Sequence, residues 1–182
     1  MNCPNVVHLL AVKRIFRYLK GTSDFLILYK RKAVGNLLGY TESDYAGDPD
    51  DRKSTSGYVF MLGFGVISWS LKKQPIVILS TIEAEYVAAT SCACQAIWFR
   101  NILEELQFKQ EGPTTIYLDN TSAINLSKKL VLHKRSKHID VKYHFVRDLI
   151  KEEKSILFIA EARNKFRYVY EALDFSIILE GM

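Results

Sequence analysis

Between Leu37 and Leu71 three strand-like runs follow one another with short joins and no helical pattern between them. Leu37 to Asp44, Gly57 to Leu62 and Val66 to Leu71 are rich in Tyr, Val, Phe, Ile and Trp, the residues that fit a pleated, half-buried surface. The stretch Leu62 to Val66, LGFGV, reads as a glycine-flanked hairpin turn. Successive strands joined without a crossover helix pair antiparallel. The centre of this chain is therefore expected to be a three-stranded meander.

The segments after the meander set the fold class. Ser80 or Thr81 is placed to cap a long helix with Glu83 in its first turn. Ala84, Val87, Ala88, Ser91 and Trp98 are expected on one side of it, small enough for the most part to let the helix lie close on a sheet. TTIYLD then reads as a strand ending at Asp119, and NTSAINLSKKL as a short helix capped by Asn120 or Thr121. Ile139 to Glu152 reads as a helix burying Val141, Phe145 and Leu149, and SILFIA as a last strand. Ahead of the meander, VVHLLAVKRIFRYLKGT is an amphipathic basic helix stopping at Gly21, and Phe25 to Lys30 a strand. Trp69 and Trp98 are expected in the core. The order predicts an α/β fold, a mixed sheet with helices packed against it. The internal boundary is expected at Ala33 to Asn36, and beyond Ala160 no clean period is visible.

A chain of 182 residues has room for one domain with an appended arm, and its net charge of +5 suits a polyanion partner without demanding one. Cys3, Cys92 and Cys94 have neither metal-ligand spacing nor a disulfide framework, so a reduced, intracellular setting is expected. No signal peptide is visible, and the longest apolar run, Gly57 to Trp69, is short and broken by glycines. A soluble protein without membrane contact is expected.

Four acids from three elements stand out. Tyr40, Glu42 and Asp44 share one face of the first strand by simple alternation, and carboxylates side by side call for compensation by water or a cation. Glu85 lies in the first turns of the long helix, and Asp119 ends the fourth strand, where α/β sheets place their sites. Carboxylates drawn from three elements suit Mg²⁺, which takes hard oxygen ligands and keeps some water. Taken singly, acids at strand ends and helix starts are most often caps or solvated charges. Glu83 and Glu85, two apart on a helix, face different ways and cannot both join a cluster. His133 and His138 flank Lys134, Arg135, Ser136 and Lys137, which by themselves read as a solvated basic loop.

The motifs carry more than the spacing. AGDPDDRKSTSGY, STIEAEY, DNTSAI and HKRSKHIDVKYHFVRD together closely resemble the ribonuclease H domain of copia-type retrotransposon Pol polyproteins, over residues 36–160. The stretch AVKRIFRYLKGTSDFLILYKR resembles the reverse-transcriptase-side segment that precedes that domain. The organisation so implied is an arm over 1–35, a ribonuclease H-like domain over 36–160 and a divergent tail over 161–182. The resemblance implies a ribonuclease H-like mixed five-stranded sheet and hydrolysis of the RNA strand of RNA–DNA hybrids with two Mg²⁺ ions, Mn²⁺ being able to stand in. It implies as partners the hybrid and the remainder of the Pol polyprotein, reverse transcriptase included, in the cytoplasm or nucleus.

On the family's ligand pattern, Glu85 in EAEY and Asp119 in LDN are intact. The first ligand departs: the family reads Tyr-Thr-Asp where this chain has Tyr40, Thr41 and Glu42, with Asp44 retained as the second acid about 6.7 Å along the strand. The late acid departs further. Its expected place falls near Arg167, and the later Asp174 is out of register. Lys134, Arg135 and Lys137 become phosphate contacts under this resemblance. Two readings stay open, a Mg²⁺-dependent hybrid ribonuclease and an inactive fragment that keeps the fold and weak nucleic-acid binding.

Overall fold

A computed structural model describes residues 4–24, 29, 35–128 and 157–160. The chain divides into two compact units, Tyr29–Ala162 and a unit formed by Met1–Leu28 with Arg163–Met182. In the latter, helix α1 spans Val6–Gly21. Its start is closed by a reciprocal cap: the Asn5 side chain accepts from the His8 N–H at 3.1 Å, and His8 Nδ1 accepts from the Asn5 N–H at 3.0 Å. Apart from Tyr29, the strand expected from Phe25 to Lys30 lies outside the described residues, as does the helix expected from Ile139 to Glu152. Among the described residues, no helix is long and apolar enough to cross a membrane.

The larger unit is built on a five-stranded sheet in the order β3-β2-β1-β4-β5. Strands β1 (Leu37–Ser43), β2 (Thr55–Leu62) and β3 (Gly65–Lys73) form the expected antiparallel meander. Gly63 makes the β2–β3 turn in the left-handed region, φ 62°, where a side chain would be strained. Strands β4 (Thr115–Leu118) and β5 (Leu157–Ala160) add in parallel beside β1. Among the described residues of this unit, helices α2 (Thr81–Glu105) and α3 (Thr121–Lys128) accompany the sheet. Asn120 Oδ1 caps α3 by accepting from the Ala123 N–H at 3.0 Å.

Helix α2 begins where its composition says it should. Ser80 Oγ accepts from the Glu83 N–H at 3.2 Å, and Glu83 Oε2 accepts from the Leu79 N–H at 3.2 Å. The helix then lies on the sheet through a stripe of Ala89, Cys92, Ala93 and Ala96 over Phe60, Ile116 and Leu37. Gly39 permits this closeness, since a Cβ there would stand 3.0 Å from Phe60 Cε1, 3.2 Å from Ile116 Cγ1 and 3.3 Å from Cys92 Sγ. The buried stripe is rotated from the expected one: Ser91 is exposed and Val87 half-buried.

Both tryptophans correct the expectation of a core role, each being 54% exposed. Trp98 falls off the small-residue stripe of α2 and packs edge-on against Phe99. Trp69 pairs with Val59 on the outermost strand, in the alternate set to Ser70, whose partner Tyr58 packs toward α2. An outermost strand has a neighbour on one side only, so its aromatic residues lose half the cover a central strand supplies.

Candidate metal centre

The parallel pairing of β1 and β4 brings two acids to one edge of the sheet. Tyr40 lies opposite Tyr117, their rings stacked with centroids 5.0 Å apart. Two residues further along each chain stand Glu42, still in β1, and Asp119, one residue past β4. Alternation returns both to the face of the stacked tyrosines. Glu42 is half-buried and Asp119 exposed, so the pair opens to solvent at the carboxyl ends of parallel strands.

The third acid comes from the helix. Glu85 lies just past the α2 cap and is 6% exposed. Burial pushes its carboxyl up to about 8, aided by the negative charges of Asp119 and Glu42 and by a hydrogen bond with Asp119, and opposed by the Ser43 backbone. Burial also raises Glu42, with Asp119 and then Asp44 adding repulsion. Three acids of three elements thus feel one another directly. Glu85 Oε2 is buried with no hydrogen-bond partner among the described residues. An orphaned acceptor at a site of mutual carboxylate repulsion is the environment a cation relieves. The donor set, oxygen only, fits a hard divalent ion. Among the described residues no three His, Cys, Asp or Glu side chains are already gathered as a metal-ion site.

Asp44 sits differently. Its Oδ1 accepts from the Thr55 N–H at 2.7 Å, closing the loop between β1 and β2, and a Cβ on Gly47 would run into its carboxylate. It reaches the cluster as a nearby charge on Glu42. Further round the same loop, Asp48 Oδ1 accepts from the N–H groups of Asp50 and Asp51, and Lys73 pairs with Asp48. Glu83, buried beside Glu85, is occupied at the helix cap. Lys134, Arg135, Lys137 and Asp174 lie outside the described residues.

One buried polar residue went unnoticed in the sequence. The Gln74 side-chain nitrogen lies within hydrogen-bond distance of Ser43 Oγ at 3.1 Å, Ser56 Oγ at 2.5 Å and the Ala84 carbonyl at 3.1 Å, and shares its two N–H groups among them. Its position before Pro75 at the end of a strand was the available signal, but a polar residue there ordinarily belongs to a loop.

No family model matches the chain. It is 46% identical over 151 residues to the retrovirus-related Pol polyprotein from transposon TNT 1-94 of Nicotiana tabacum, covering 82% of this chain and 11% of that protein. It is 42% identical over 150 residues to the retrovirus-related Pol polyprotein from transposon RE1 of Arabidopsis thaliana, covering 82% of this chain and 10% of that one. Among solved structures it resembles LC11-RNase H1 in complex with an RNA/DNA hybrid, with a TM-score of 0.53 at 14% identity over 71% of this chain and 88% of that one. The chain has a ribonuclease H-like fold and is similar in sequence to a segment of retrotransposon Pol polyproteins. The ribonuclease H-like domain and its flanks span about a tenth of the curated relatives they match.

Proposed function

We propose that this ribonuclease H-like domain hydrolyses the RNA strand of RNA–DNA hybrids, using a divalent cation held by Glu42, Glu85 and Asp119. The observation that carries the reading is the Glu85 carboxyl, buried at the carboxyl ends of parallel strands and pushed up to about 8 beside Asp119 and Glu42. A lone surface acid has no such burden. The likeness to a hybrid-bound ribonuclease H supports the choice of substrate.

The residues divide the work. Glu85 holds a proton near neutral pH when no cation is near, because burial and then the charge of Asp119 disfavour its ionised form. Glu85, buried on a rigid helix, fixes the depth at which an ion would sit. Asp119, exposed at the mouth, is open to water and substrate. Glu42 would supply a third carboxylate to that ion. When bound, Mg²⁺ supplies activation of the attacking water and neutralisation of charge on the leaving oxygen. Lys134, Arg135 and Lys137 contact the phosphates of the duplex and set its position without reading sequence. Asp44 supports the loop that carries β1 into β2 and adds its charge to the cluster. We place the working protein in the cytoplasm or nucleus, with the arm over 1–35 continuing from a reverse-transcriptase region and the tail over 161–182 lying beyond the catalytic domain.

Glu42 slows the reaction in this reading. It carries one more methylene than the Asp of the resembling motif, and sites of this kind tolerate only about 0.5 Å of misplacement. The same feature, with the absence of three pre-gathered ligands among the described residues, favours the second reading of a fold that binds hybrid without turnover. Cleavage of an end-labelled RNA–DNA hybrid with Mg²⁺ or Mn²⁺, beside a double-stranded DNA control, decides between them. Slow, cation-dependent loss of the RNA strand alone is expected. Hybrid binding without any cleavage would establish the second reading.

A further inference from the structure

We infer that Gln74 is a positioning residue that ties the strand end bearing Glu42 to the helix start bearing Glu85, an inference that rests on the metal-centre reading above. Gln74 follows β3 and is 3% exposed. Its backbone is anchored first, the N–H donating to the Ser54 carbonyl at 2.8 Å. Its side-chain nitrogen then bridges three elements. Ser43 lies between Glu42 and Asp44 at the end of β1, Ser56 is on β2, and Ala84 directly precedes Glu85 on α2.

The amide cannot be turned over without loss. Ala84 offers a carbonyl, which only accepts, so the nitrogen must face it. With the nitrogen so placed, Gln74 Oε1 is buried without a partner among the described residues. An unmet buried acceptor costs free energy, and a Met or Leu of similar length would fill the space without that cost. Filling space therefore does not account for Gln74, whereas joining Ser43 to Ala84 does. The ligand-bearing residues are each one step from a Gln74 partner: Glu42 from Ser43, and Glu85 from Ala84. A small change in the angle between α2 and the end of β1 would separate the two carboxylates from a common point. Partners of this indirect kind commonly change metal affinity by about 10–100-fold when removed.

The test is Mg²⁺ titration calorimetry on the full chain, well below its melting temperature, for Gln74→Met. Met keeps the length and loses every side-chain hydrogen bond. A folded variant binding Mg²⁺ about tenfold more weakly, or worse, is the expected result. A folded variant whose affinity falls by less than that, even if it melts earlier, would overturn the positioning role and leave Gln74 structural. If Gln74→Met does not fold, Ser43→Ala decides by the same tenfold criterion, since it removes the β1 partner while Gln74 keeps Ala84. Binding in the unaltered chain that survives in both variants rejects Gln74 alone. Absence of Mg²⁺ binding in the unaltered chain rejects the metal centre and the role of Gln74 with it.

Discussion

The buried Glu85 carboxyl, just inside the start of α2, is raised to about 8 by its burial and by the negative charge of Asp119, one residue past β4. The domain without a cation therefore keeps a proton that an unfolded chain would have released near the ordinary glutamate value.

Stability should follow that proton. Glu85 is raised to about 8 in the folded state from 4.5, so between these values the folded chain binds more protons than the unfolded one. The contribution is fully present below the unfolded value and is lost as pH rises toward about 8. Without divalent cations, the melting temperature should therefore fall from about pH 5 to about pH 8 by more than other groups explain, and level off above. Saturating Mg²⁺ should flatten that slope, because a cation replaces the proton. Thermal melts across pH, with and without Mg²⁺, check both halves.

Asp119→Asn should leave the fold intact. Asp119 is exposed, and removing its charge relieves the strongest repulsion on both Glu42 and Glu85. Stability near neutral pH should stay level or rise by about 1 kcal/mol. The variant should lose any Mg²⁺-induced rise in melting temperature, which requires binding to the folded state. An equal rise in both proteins would remove Asp119 from the site.

Gly39→Ala tests the closeness of α2 to the sheet. The new methyl would press on Phe60, Ile116 and Cys92 at 3.0, 3.2 and 3.3 Å, in a part of the core with no slack. A loss of about 1–3 kcal/mol is expected by chemical denaturation, as for other overpacked cores. Adding Cys92→Ala, which removes one of the three opposing groups, should recover part of it.

These relationships were unequally legible in the sequence. The meander could be read because alternation, aromatic content and the Gly63 turn all agree on it. Asp119 could be read because a short apolar strand ending in an acid is a local pattern. The rotation of the α2 stripe could not, since a helix with Ala, Ser and Cys on several sides offers little contrast between faces. The exposure of Trp69 depends on β3 being outermost, which is a property of the sheet order and not of the strand. Gln74 depends on three partners from 10 to 31 residues away, a convergence that no local pattern announces.

Glu42→Asp should speed hybrid cleavage. Shortening the side chain restores the reach of the resembling motif, and about a tenfold gain in turnover corresponds to about 1.4 kcal/mol of better transition-state stabilisation. Single-turnover cleavage at saturating enzyme isolates this from substrate binding. A slower variant would show Glu42 already to be a well-placed ligand.

The cation site itself is tested most directly by titrating Mg²⁺ into the unaltered chain at about pH 7, in buffers of different ionisation enthalpy. With Glu85 held at about 8, binding at that pH should expel close to one proton per domain. The observed heat should then change with the buffer in proportion. Saturable binding with such proton release is the predicted result. Absence of binding, or binding whose heat is the same in every buffer, would contradict a cation site built on Glu42, Glu85 and Asp119.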